Sequence, residues 1–116
     1  MARPDFYLKA GDTDSVMSAV LRDANYEAVD IQGATVEFIL RALAGGPALI
    51  HRSASVEQSG DGTDGSMGAV EFVWQTGETN TSGLFLGEWR VTFAESSVQT
   101  YPNVGYILVL ISEALA

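Results

Sequence analysis

Asp61-Gly62-Thr63-Asp64-Gly65 spaces oxygen ligands as in part of a calcium-binding loop. Calcium takes about six to eight oxygens, and such loops close with a bidentate Glu. The segment offers two carboxylates and no closing Glu, so it reads as an ordinary polar loop and no metal site is assigned. His51 is the only histidine, and one residue with no partner in sight does not make a Ser/His/Asp set. Glu37, Glu71 and Glu88 sit on strand phases opposite the aromatic residues. Two such carboxylates could flank a glycosidic bond, but pairing with Arg41 and Arg90 across strands on a solvated face is the expectation. Trp74 and Trp89 could make a sugar-stacking platform. Both share the phase of Phe72, Phe85 and Phe93, which assigns them to a core instead. No catalytic, cofactor-binding or metal-ligating residue is therefore assigned, and no enzyme activity or cofactor is expected.

The elements that would position these residues are strands. Gly83–Phe93 is the longest clean alternation: Phe85, Trp89, Val91 and Phe93 share one face, with Gly87 between them, while Leu84, Leu86, Glu88, Arg90 and Thr92 share the other. One side of such a strand lies on a core and one faces water. Further strands are predicted over Asp5–Ala10, Ser15–Asp23, Ala34–Arg41, Ala48–Val56, Ala69–Trp74 and Gly105–Ile111, with a short extended piece at Ala28–Ile31. A helix over Ala34–Ala44 is set aside because Thr35, Val36 and Ile39 are β-branched and the period is two. Glu57–Met67 is predicted to be a long exposed loop with almost nothing to bury, and Gln75–Ser82 a second polar loop. Ala94–Val98 reads as a turn and Tyr101–Val104 as irregular. Seven or eight short strands without a helix predict an all-β fold, an antiparallel immunoglobulin-like β-sandwich, with a small barrel as the alternative.

The chain has 116 residues, no cysteine and a formal net charge of −9. The length suits a single domain over residues 1–116, and the absence of cysteine excludes disulfides and thiolate metal sites. Scattered acidic charge argues against nucleic acid or an anionic membrane as partner, since phosphate recognition needs Lys/Arg clusters. Met-Ala-Arg-Pro-Asp-Phe has no apolar leader segment, and the apolar run near Ile107–Ile111 is too short to span a bilayer.

An ordered set of segments then suggests a family. Gly11-Asp12-Thr13 is followed by Leu21-Arg22-Asp23, by Val29–Phe38 (Val-Asp-Ile-Gln-Gly-Ala-Thr-Val-Glu-Phe), by Gly68–Trp74, by Gly83–Phe93 and by Gln99-Thr100-Tyr101-Pro102-Asn103 leading into the last strand. From Phe6 to Ile111 this resembles the N-terminal domain of phage baseplate upper proteins and related immunoglobulin-like modules of tailed-phage virions. The resemblance implies a non-enzymatic structural role in the tail, neck or baseplate, or as capsid decoration. The protein would be made in the host cytoplasm, end in the virion, and contact other virion proteins in multiple copies. In that family the domain anchors a larger protein. No fibre, coiled coil or carbohydrate module follows here, so action through the domain's own surface is expected. A free-standing module that binds carbohydrate or a host surface is the alternative. Ile39, Leu84, Leu86, Leu108 and Leu110 are the candidate interface residues, because each is apolar on a phase that should face solvent. The last strand, apolar on both phases, is expected to be covered or to offer an open edge to another chain.

Overall fold

The alternating pattern becomes eight strands in the computed structural model, which describes residues 4–115 and contains no helix among them. Met1-Ala2-Arg3, part of the segment read for a leader, and Ala116 lie outside the described residues. The strands are β1 (Phe6–Lys9), β2 (Val16–Val20), β3 (Thr35–Ala42), β4 (Ile50–Val56), β5 (Ala69–Val73), β6 (Gly83–Thr92), β7 (Val98–Tyr101) and β8 (Ile107–Ser112). They follow one hydrogen-bonded path, β1-β8-β6-β3-β4-β5-β2, with β7 also paired to β6. Strand β4 carries the path round a corner: Ile50–Ala54 pair with β3, and Ser55 and Val56 pair with β5. The path curls towards a barrel without closing, since its ends, β1 and β2, pair with β8 and β5.

The expectation of a wholly antiparallel sheet is corrected at one pairing. Strand β1 runs parallel to β8, with Phe6 opposite Val109 and Leu8 opposite Ile111. Parallel neighbours cannot be joined by a hairpin and need a long connection. Here nearly the whole chain is that connection, so no local turn betrays the pairing.

Strand β6 alternates as its sequence demands. Phe85, Gly87, Trp89 and Val91 are buried, and the residues between them are half-buried. Inward residues of β3, β5 and β6 meet in an aromatic core: the Phe38 ring centroid lies 4.7 Å from that of Phe72 and 4.9 Å from that of Trp89, and Phe72 meets Trp74 edge-on at 5.1 Å. Tilted and edge-on contacts are the favoured arrangements of such rings. Gly87 makes room for them, because a Cβ there would stand 2.9 Å from Phe38 Cζ.

Three other expectations change. Val98–Tyr101 is a strand, not a turn and an irregular stretch: it forms a hairpin with β6, placing Trp89 opposite Tyr101 and Thr92 opposite Val98. Ala28–Ile31 forms no strand, only an isolated bridge between Arg22 and Ala28. Glu57–Met67 is not a stretch with nothing to join. The Gln58 side chain accepts hydrogen bonds from the amides of Ile31 (2.8 Å) and Gly68 (3.1 Å) and donates to Asp30 Oδ1 (2.6 Å) and the Gly60 carbonyl (3.1 Å). One amide side chain thus ties the loop to the β2–β3 connection. Behind it Gly62 is buried, and a Cβ there would meet Met67 Cβ at 2.8 Å.

Candidate interaction face

Residues 84, 86, 88 and 90 of β6 point away from the aromatic core. Register decides which outward residues meet. Leu84 lies opposite Leu110 and Leu86 opposite Leu108, so β6 and β8 bring four of the five candidate interface residues into two facing pairs. All four are half-buried. Directly opposed side chains on one face are in contact range, and so the leucines largely cover one another. The fifth, Ile39, is opposite Glu88 on β6 and His51 on β4, at the polar margin and diagonal to Leu86.

Residues that the sequence did not single out extend the patch. Tyr7 of β1 pairs with Leu110 and is 55% exposed. Leu43, whose amide donates to the Leu84 carbonyl, is 51% exposed. Arg41 lies opposite Leu86, and its guanidinium stands over the Tyr106 ring at 5.9 Å. The face is therefore a row of leucines with aromatic and aliphatic residues exposed along its rim. Tyr7 was hidden from sequence reasoning because its place depends on the parallel β1–β8 pairing. Leu43 was hidden because it follows the end of β3.

The last strand is not an open edge. Strand β1 covers one side of β8 and β6 the other, Asp5 N–H donates to the Leu108 carbonyl at 2.7 Å, and Asp5 Oδ2 accepts from the Leu108 amide at 2.8 Å. Nor is β8 buried on both faces: Val109 and Ile111 are buried inward, while Leu108 and Leu110 are half-buried outward.

The remaining candidates are dispersed or occupied. Trp74 and Trp89 are both buried, Trp74 edge-on to Phe38 and Phe72 and Trp89 tilted against Phe38, so neither offers a stacking platform. Glu37 lies opposite Arg90 in register, but its carboxylate stands beside His51 Nε2 at 3.3 Å, both side chains well exposed. An exposed pair of this kind adds little stability. Asp61 Oδ1 accepts from the Thr63 amide, and Asp64 Oδ1 from both the amide and the hydroxyl of Ser66. The Ser66 hydroxyl, with its amide, holds the Asp64 carboxyl below its ordinary range. Both carboxylates thus hold local turns, and among the described residues no three His, Cys, Asp or Glu side chains gather as a metal site would need.

The strongest charged contact is one that the sequence did not announce. Arg52 donates to both carboxylate oxygens of Glu78, each at 2.7 Å, and also to the Val73 carbonyl. Its guanidinium stacks on Phe72 at 4.2 Å. Burial pushes the Glu78 carboxyl upward, but the Arg52 hydrogen bonds, the Gln75 amide and the Arg52 charge together bring it below its ordinary value. This pair clamps the β5–β6 loop to β4. The same loop is latched at its far end, where buried Thr79 donates its hydroxyl to the Asp12 carbonyl at 2.8 Å.

No family model, curated protein or solved structure matches the chain. What the arrangement offers is a leucine face that is half open to solvent.

Proposed function

We propose that this chain is a non-enzymatic structural module of a tailed-phage virion, an immunoglobulin-like β-sandwich that acts by burying its outer leucine face against other virion subunits. The observation that carries the reading is the leucine quartet of β6 and β8 with Tyr7 and Leu43 exposed beside it, on a chain whose net charge is −9. Apolar rims of this kind on a small domain of strongly negative net charge mark contact surfaces. The sandwich is supported by the way β5, paired with β2, sets Phe72 against Phe38 of β3 across the core. The parallel β1–β8 pairing beside an antiparallel β8-β6-β3-β4 set also fits that architecture. Repetition of one such face in a symmetric particle gives the multi-copy contacts that the family resemblance implies, and the location in the virion, after synthesis in the host cytoplasm, follows from the same resemblance. The test is assembly: Leu86→Asp, shown by circular dichroism to be folded, is combined with the other virion proteins. Loss of incorporation is the expected result. Normal incorporation of the folded variant would overturn the reading.

A further inference from the structure

A second region of the surface is built as a binding cleft, which meets the outward face only at Tyr106, the ring over which Arg41 stands. It has a volume of about 560 Å³ and runs between the β2–β3 connection and the β7–β8 connection. Leu21, Trp89 and Tyr101, all buried, line its depth; Tyr26, Val104 and Tyr106 stand at its mouth. Pockets of this size, mostly apolar with a few convergent polar groups, are the usual form of small-ligand sites.

Three observations show what would fill it. First, the depth of the cleft is apolar: Leu21, Trp89 and Tyr101 are all buried, and the Trp89 indole Nε1 is closed off from the surface, as is that of Trp74 outside the cleft, so the floor offers a ligand apolar contact and no indole donor.

Second, Tyr26 is held in place at a price. Its φ is 65°, the left-handed region that a tyrosine rarely occupies, and its side chain is 83% exposed. A tight turn enforces this: Asp23 Oδ1 accepts from the amides of Asn25 and Glu27, the Asp23 carbonyl accepts from the Tyr26 amide, and Arg22 donates to the Tyr26 carbonyl. Strained backbone that presents an exposed aromatic ring is a mark of ligand contact.

Third, the polar groups around the cleft have a definite character. Asp5 and Asp23 supply carboxylate acceptors, Asn103 and Arg22 supply donors, and the Tyr101 hydroxyl can do either. Burial, and then the Asp23 charge, keeps the Tyr101 hydroxyl protonated well into the alkaline range.

We propose that this cleft binds a neutral pyranose ring of a glycan, its apolar face stacked on Tyr26 or Tyr106 and its hydroxyl groups shared between Asp23, Asp5, Asn103 and Arg22. A sugar hydroxyl both donates and accepts, which is what this mixed set of carboxylates and N–H groups requires. An anionic ligand would meet two carboxylates on a chain of net charge −9. A proline-rich peptide brings few donors. It would cover Asp5 and Asp23 without pairing them, which is unfavourable.

The test uses the full chain labelled with ¹⁵N. Its two indole N–H signals separate the cleft from the core, because Trp74 does not line the cleft. The protein is titrated in turn with methyl α-D-mannopyranoside, methyl β-D-glucopyranoside, methyl β-D-galactopyranoside, N-acetyl-D-glucosamine, sialic acid and a polyproline peptide. The expected result is a saturable shift of the Trp89 indole signal with at least one neutral sugar while the Trp74 signal stays in place. Tyr26→Asn, which keeps the left-handed turn, and Tyr106→Ala should each be folded. Whichever ring stacks on the sugar, its loss should weaken that binding about tenfold, the worth of one good aromatic contact. The proposal is overturned if no neutral sugar moves the Trp89 signal, if both indoles move alike, if only sialic acid or the polyproline peptide binds, or if neither variant changes the affinity.

Discussion

The two faces of β6 are written in the same ten residues and meet opposite fates. Inward, Phe85, Trp89 and Val91 are closed over by Phe38, Phe72 and the rest of the core, and Gly87 carries no side chain where the far end of the Phe38 ring comes up against the strand. Outward, Leu84 and Leu86 lie between Leu110 and Leu108 on one side and Leu43 and Arg41 on the other, and the apolar surface ends at Tyr7 and Leu43, which half face water. The inward face is closed to water within the chain; the outward face stays half open to it. Alternation alone makes both faces possible, but only the strands that come to lie opposite decide which is complete.

That contrast predicts a graded response to substitution. Trp89→Ala removes the largest fully buried side chain and should cost about 3–5 kcal/mol in chemical denaturation, the range for a large aromatic in a core. Arg90→Ala, one residue along on the other face, should be nearly silent, since no ion pair holds Arg90 among the described residues. Equal costs for the two would erase the distinction between the faces.

Next in size is Arg52→Ala. It loses the bidentate bond to Glu78, the bond to Val73 and the stack on Phe72, and should cost about 2–3 kcal/mol, as charged hydrogen bonds do. The pair also sets a pH response. The folded Glu78 carboxyl titrates below its unfolded value, so its stabilisation is fully present above the ordinary carboxylate range and is lost as pH falls through the lowered value. Wild-type protein should therefore lose more stability on acidification through that window than Glu78→Gln does, as read from denaturation midpoints across a pH series. Identical pH profiles would show that the clamp contributes nothing to the core it borders. Gly87→Ala should follow at about 2 kcal/mol, because its methyl group would press on Phe38 at 2.9 Å and the ring has the rest of the core behind it. A neutral Gly87→Ala would mean that the inward face is loosely packed and that the contrast with the outward face is smaller than the contacts imply.

What could be read from the sequence was whatever repeats locally. The phase of Phe85, Trp89 and Val91, the pairing of Phe72 with Trp74 and the strand rather than helix at Thr35–Ala42 all follow from a period of two, and all hold. Strand β7 escapes such a reading because Val98 and Tyr101, the two apolar residues of its four, stand three apart and show no period of two. The parallel partner of β8 was missed because the two strands stand at opposite ends of the chain. Polar hubs escaped for the same reason: Gln58 meets Asp30 and Ile31, and Arg52 meets Glu78, only after the corner at β4 has formed. At the candidate face the residue types were legible in Leu84, Leu86, Leu108 and Leu110. Their meeting as two facing pairs was a matter of register, and so was the setting of Ile39 among polar neighbours.

The smallest effect sharpens the comparison most. On a face open to solvent, an acidic substitution should be judged by its immediate neighbours rather than by a packed interior. Leu86 lies opposite Arg41, so Leu86→Asp sets a carboxylate beside a guanidinium, a favourable cross-strand pair that offsets part of the lost leucine contact. Leu108 is bonded edge to edge with Asp5, so Leu108→Asp sets like charges side by side. Leu86→Asp should cost about 1 kcal/mol or less and Leu108→Asp about twice that, both well below Trp89→Ala. Added salt should narrow the gap between the two, because the difference is carried by exposed charges that salt screens. Denaturation of both variants at low and high salt measures this. If Leu86→Asp costs as much as Trp89→Ala, or if the two aspartates cost the same at every salt concentration, then the leucines are part of the core and the outward face of β6 is as closed as the inward one.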